Sequence, residues 1–144
     1  MRFGKRTNHP VALVRAAGSL ARGLVETGRF DEADEPVELI LAQFHRLPAE
    51  DRGRAERSIA WTRDGQERHA EGLRHSRRAL EIFRGLGQRV QTAVELGSVG
   101  WFLSALGEYG EAIVKCEEAI PILRDLGDRG NEAAAWDSIG YARQ

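Results

Sequence analysis

Trp61, Trp101 and Tyr141 stand at intervals of forty residues, and Arg22 precedes Trp61 by thirty-nine. Rings held in register along one face would do recognition chemistry, because each buries a large area with few rotatable bonds and such side chains concentrate interface binding energy. The same recurrence also suits a structural role, since aromatic residues at helical spacing fill cores. Arg15, Arg22, Arg54 and Arg57 form a second constellation near one end of the series. Guanidinium forks match carboxylates in a bidentate geometry, so this end would suit an acidic peptide or a terminal carboxylate. The competing reading is an ordinary solvated helix face.

Other chemistry does not assemble from the spacing. His69 and His75 are six residues apart, which places them on different helix faces, and Cys116 has no companion ligand. No metal and no cofactor is therefore expected. Glu67 with Glu71 and Glu117 with Glu118 fall on charged faces. No nucleophile, base and orienting group come together, and there is no glycine-rich phosphate loop, so an enzyme is not expected.

Composition narrows the class. The chain has 144 residues, 42% hydrophobic and 30% charged, the balance of a folded domain rather than a disordered segment. A net charge of −1 removes the global attraction of a dedicated nucleic-acid binder, so no direct nucleic-acid contact is expected. The cationic residues are almost all arginine, with lysine only at Lys5 and Lys115, which reads as a GC-rich bacterial coding bias. One cysteine cannot close an intramolecular disulfide, no apolar run reaches bilayer length, and Met1 to Pro10 does not resemble a signal peptide. The expectation is a cytoplasmic protein with no membrane association.

The elements that position these residues follow from an internal repeat. Ser58-Ile59-Ala60-Trp61, Ser98-Val99-Gly100-Trp101 and Ser138-Ile139-Gly140-Tyr141 are in register, and Ser19-Leu20-Ala21-Arg22 precedes them after one deletion. Duplication at this period indicates a stacked repeat protein, in which each unit buries its apolar face on its neighbours. Apolar spacing predicts helices over Val11 to Glu26, Asp31 to Leu47, Ala49 to Thr62, Leu73 to Leu86, Val90 to Leu106, Glu108 to Leu126 and Asp128 to Tyr141. Pro121 within the sixth predicts a kink or local loosening. No segment alternates with period two, so the chain reads as all-α, with about seven helices.

Leu96, Val99, Gly100, Leu103, Gly107, Tyr109, Ala112, Ile113, Cys116, Ala119 and Ile120, in that order, resemble the tetratricopeptide repeat (TPR), a pair of antiparallel helices with small residues at their close approach. The resemblance implies a right-handed α-solenoid, with a flexible N-terminus over 1–11 and an array over 12–144. The repeats would be 12–47, 49–86, 89–126 and a half repeat at 129–144. In the second, Glu67 stands where the turn glycine belongs, and Gly65 is expected to take the turn two residues early. The Leu126-Gly127-Asp128-Arg129 linker and the string Ala135 to Tyr141 are similar to repeat arrays of actinobacterial regulators of antibiotic pathways.

What the resemblance implies for function is partner binding. First helices would line a concave groove presenting Trp61, Trp101 and Tyr141 beside the four arginines, with Val94, Gly97 and Ser104 in or near it. The lysine and asparagine clamp of chaperone-tail-binding TPR proteins is not matched. A protein or peptide partner is the leading reading. A ligand-sensing regulator fragment is the alternative, and a small pathway enzyme using the groove is a third. The last helix lacks its pairing partner, so Trp136 and Ile139 are expected to form an exposed face available for homodimerisation.

Overall fold

The computed structural model describes residues 9–144, so most of the segment expected to be a flexible N-terminus lies outside the described residues. Seven α-helices and no strand occur among these residues: α1 (Pro10–Glu26), α2 (Asp34–Gln43), α3 (Ala49–Gly65), α4 (His69–Gly85), α5 (Arg89–Ala105), α6 (Tyr109–Asp125) and α7 (Arg129–Ala142). The first begins at Pro10, where a proline costs nothing because the N–H it lacks has no intrahelical partner. Single turns of 3₁₀ helix over Asp31–Ala33 and Phe44–Arg46 flank α2. Short connections force successive helices antiparallel, and the pairs α1/α2, α3/α4 and α5/α6 stack with α7 closing the array. The result is an α-solenoid. No helix among the described residues is long and apolar enough to cross a membrane.

Five turns share one backbone design. Gly28, Glu67, Gly87, Gly107 and Gly127 have φ of 80°, 60°, 70°, 82° and 71°. After each, the next amide donates to a carbonyl five residues back, as in Arg29 to Leu24 and Arg68 to Arg63, both 2.8 Å. This is the left-handed helix cap that satisfies otherwise orphaned carbonyls. The expected early turn at Gly65 does not occur. Gly65 is instead the last residue of α3, where an added Cβ would sit 2.3 Å from Cγ1 of Val25, so the glycine is kept for close packing. Glu67 adopts the left-handed conformation because the register of the stack, shared with Gly28 and Gly107, outweighs its local preference.

The connection between α2 and α3 is different. Leu47 and Pro48 are extended, with ψ of 144° and 158°, so the proline ends one helix and leads directly into the next. Across Pro121 the α6 helix runs unbroken. Its ring and Glu117, whose carbonyl it deprives of a donor, both lie on the solvent side, where water can replace the lost bond.

The apolar core has two parts. One joins Val14, Ala17, Val37, Ile40, Leu47, Ala55 and Ile59; the other joins Leu80, Leu96, Val99, Leu103, Cys116, Ile120, Leu123 and Ile139 with their small neighbours. Around α3, α4 and α5 the interior carries ionisable groups instead. Glu56, His75, Ser76 and Glu95 are 4%, 4%, 0% and 1% exposed, although three of them have apolar or small register counterparts in other repeats: Ala17 and Leu96 for Glu56, Val37 and Cys116 for Ser76, and Ala55 and Ala135 for Glu95.

Candidate functional site

The odd-numbered helices place the recurring aromatics. Trp61 on α3 and Trp101 on α5 each follow a buried small residue, Ala60 or Gly100, so the preceding position faces the core and the ring faces out; Tyr141 on α7 follows Gly140, which is itself exposed. The three rings are 40%, 58% and 65% exposed, and Trp101 and Tyr141 are the two most open large apolar side chains among the described residues. Gly100 shows why the neighbouring position is small: a Cβ there would lie 2.8 Å from Sγ of Cys116.

Each aromatic has a different environment. The Arg22 guanidinium lies 5.6 Å from the centroid of the Trp61 ring, within the range of a cation–π contact. Trp101 donates its indole N–H to Oδ1 of Asp64 at 2.9 Å, which fixes the ring between α3 and α5. Tyr141 has no such anchor among the described residues: Ser104 occupies the register of Asp64, and no hydrogen bond joins it to the phenol. Between α5 and α7 the rings instead flank a cleft of about 460 Å³ lined by Trp101, Ser104, Ala105, Asp137, Ser138 and Tyr141.

The arginines are drawn into the chain's own contacts. Arg15 approaches Asp51 at 3.7 Å, and Arg54 pairs with Glu50 at 2.6 Å and Asp51 at 3.9 Å. Arg57 donates to the buried Glu95 and to Gln91, and its guanidinium stacks 5.0 Å from the centroid of Phe83. Hence the basic end is internally compensated, and Arg22, over Trp61, is the one of the four without a carboxylate partner among the described residues.

Spacing did not reveal the buried ionisable groups. Nδ1 of His75 lies 2.6 Å from Oε1 of Glu56, joining α4 to α3 in the interior. Burial pushes the Glu95 carboxyl above the usual carboxylate range, opposed by the charge and hydrogen bond of Arg57. The available signal was the register itself, because charged residues stand where other repeats carry alanine or leucine. Asp34 is a further junction: Gln66, Arg63 and Arg68, all near the α3–α4 turn, reach its carboxylate at 2.9, 2.6 and 3.1 Å. Partial burial works against ionisation there, but these contacts hold the carboxyl below its ordinary value.

One expected face is corrected. Ile139 is 3% exposed and belongs to the second core cluster, in register with Ile59 and Val99, both fully buried. It points back into the array. Trp136 is 50% exposed, with its indole 3.4 Å from Glu132, while Leu96 and Glu56 in its register are buried. Cys116 lies in the core, and burial together with the adjacent Glu117 pushes its thiol pKa up, which suits an inert packing role.

No family model and no curated protein matches the sequence. Solved structures do match the fold. The nearly identical TPR-like repeats of a kinesin light chain-related protein from Podosopora anserina superpose with a TM-score of 0.81 at 20% identity, covering 93% of this chain and 66% of that one. Aspartyl phosphate phosphatase F from Bacillus subtilis gives 0.78 at 10% identity, over 92% of this chain and 35% of the other. A TPR-like protein from Chlorobium tepidum gives 0.70 at 19% identity, over 94% and 97%. This chain thus spans less than two thirds of the length of several structures it resembles, and at these identities the likeness establishes a TPR-like helical repeat fold.

Proposed function

We propose that this chain is an interaction module that binds an extended peptide segment of a partner protein along the face of α1, α3, α5 and α7. One observation carries the reading: Trp61, Trp101 and Tyr141 are exposed and in register along that face, which leaves a row of aromatic surface open to a partner. Exposed aromatics on a rigid helical scaffold supply contact area with little backbone ordering cost. A scaffold or regulatory role in a bacterial pathway accords with the linker residues Leu126 to Arg129 and their similarity to regulator arrays. The repeat scaffold here serves recognition rather than catalysis.

The test is selection from a random twelve-residue peptide display library, followed by measurement of the selected peptides against wild type and the Trp61→Ala, Trp101→Ala double variant. Both rings are exposed, so the double variant retains its helical circular dichroism and cooperative unfolding. Selected peptides should weaken tenfold or more, since loss of interface aromatics typically costs about 2 kcal/mol or more. Equal binding to both proteins would remove the aromatic face from the function.

A further inference from the structure

We infer that the cleft between α5 and α7 receives a cationic side chain, arginine or lysine, of the peptide partner. This rests on the groove reading above and names the chemistry of one of its subsites.

The first argument is internal precedent. At the opening step of the aromatic series the chain places its own guanidinium, Arg22, 5.6 Å from the centroid of Trp61. The face therefore accommodates a guanidinium on a ring in this register. At the closing step two rings, Trp101 and Tyr141, flank a cleft of about 460 Å³ and none of its lining residues is a cation. That volume is ample for a guanidinium and its methylene stem.

Charge supplies the second argument. Asp137 lines the cleft and makes no ion pair among the described residues, whereas acids lining the opposite end, Asp51 and Glu50, are matched by Arg15 and Arg54. Its register counterparts are Arg57 and Gly97, so the sign of charge reverses between α3 and α7. A carboxylate beside two exposed π faces attracts a cation through both charge and ring quadrupole, and repels an acidic residue. Trp101 is pre-set by its bond to Asp64, while the unanchored Tyr141 is free to close over the guest.

The probe is the capped pentapeptide acetyl-Gly-Gly-Arg-Gly-Gly-amide, compared with its citrulline counterpart, which has nearly the same shape without the charge, and with free arginine. Binding is followed in the amide and indole proton–nitrogen spectrum at low salt, with the Trp101 indole assigned through Trp101→Phe. The arginine peptide should shift that indole and the amides of Asp137, Ser138 and Tyr141 at millimolar concentration. The citrulline peptide should bind about fivefold or more weaker, as should the arginine peptide to Asp137→Asn. Equal binding of the two peptides, or shifts confined to other acidic surfaces, overturns the inference. Free arginine binding better than the peptide would overturn the peptide as its source. If the display library yields peptides that depend on Trp61 and Trp101 but carry no fixed basic residue, the cation subsite falls and the groove reading stands. Loss of the aromatic dependence would sink the groove reading instead.

Discussion

Replacing Glu67 by glycine should stabilise the protein. At φ 60° the glutamate occupies a conformation that costs an L-residue roughly 1–2 kcal/mol, and the four equivalent turns all use glycine. Against this, glycine makes the unfolded chain more disordered, by about 0.4–1 kcal/mol. The side chain contributes nothing to offset the strain: it is exposed and joins no hydrogen bond or ion pair among the described residues. The balance is a gain of about 0.5–1 kcal/mol, or about 2–4 °C in melting temperature for a chain of this size. Urea unfolding followed by circular dichroism reads it as a higher midpoint with an unchanged slope. Two controls isolate the cause. Glu67→Ala removes the side chain but keeps the strain, so it should leave the midpoint nearly where it was. Gly65→Ala should lower it, because the new methyl meets Val25. A Glu67→Gly variant no more stable than wild type, with Glu67→Ala unchanged, would refute the claim that backbone strain resides at this turn.

The packing glycines make a second prediction. A Cβ at Gly72 would fall 2.3 Å from Cε1 of the buried Phe102, so Gly72→Ala should cost about 1–3 kcal/mol, with partial recovery on adding Phe102→Leu. The third concerns pH. Because burial raises the Glu95 pKa in the folded state, the native protein holds a proton that the unfolded chain releases from about pH 4.5 upward, so this group's stability contribution is full below that pH and falls as pH rises through the folded pKa. Urea midpoints across pH 4.5–8 should show that decline in wild type, at up to about 1.4 kcal/mol per pH unit, and a flatter profile in Glu95→Gln.

The helix order, the glycine turns and the aromatic register were legible in the sequence because all three recur with the same period. What escaped had a common cause, namely that a residue was read by its own chemistry instead of by its slot. Glutamate disfavours the left-handed region, so the turn was sought at Gly65; the stack held it at Glu67. Charged residues favour solvent, so the chemistry of Glu56 and Glu95 gives no sign of the interior places they occupy, although their counterparts Leu96 and Ala55 are core positions. The want of a following helix predicts Ile139 to be exposed, but its side chain faces the helices already present, and Trp136 is the residue left open. For the site, sequence located the rings but not their company: Arg22 above Trp61, Asp64 holding Trp101, and carboxylates engaging Arg15, Arg54 and Arg57 depend on side-chain reach that spacing does not encode.

The matched turns at Gly87 and Gly127 also bear on how such a chain can change length. Their φ values of 70° and 71° and their shared capping bond mean that the segment from Gln88 to Gly127 enters and leaves on the same backbone geometry. A duplication of that stretch in the gene would join without a new kind of junction, each added copy extending the ladder by one indole. An excision would shorten it as cleanly. The Leu47–Pro48 connection offers no such joint, because its extended backbone matches none of the other turns. Growth and loss of recognition surface are thereby channelled to the turns that share the left-handed cap, and away from the Leu47–Pro48 connection.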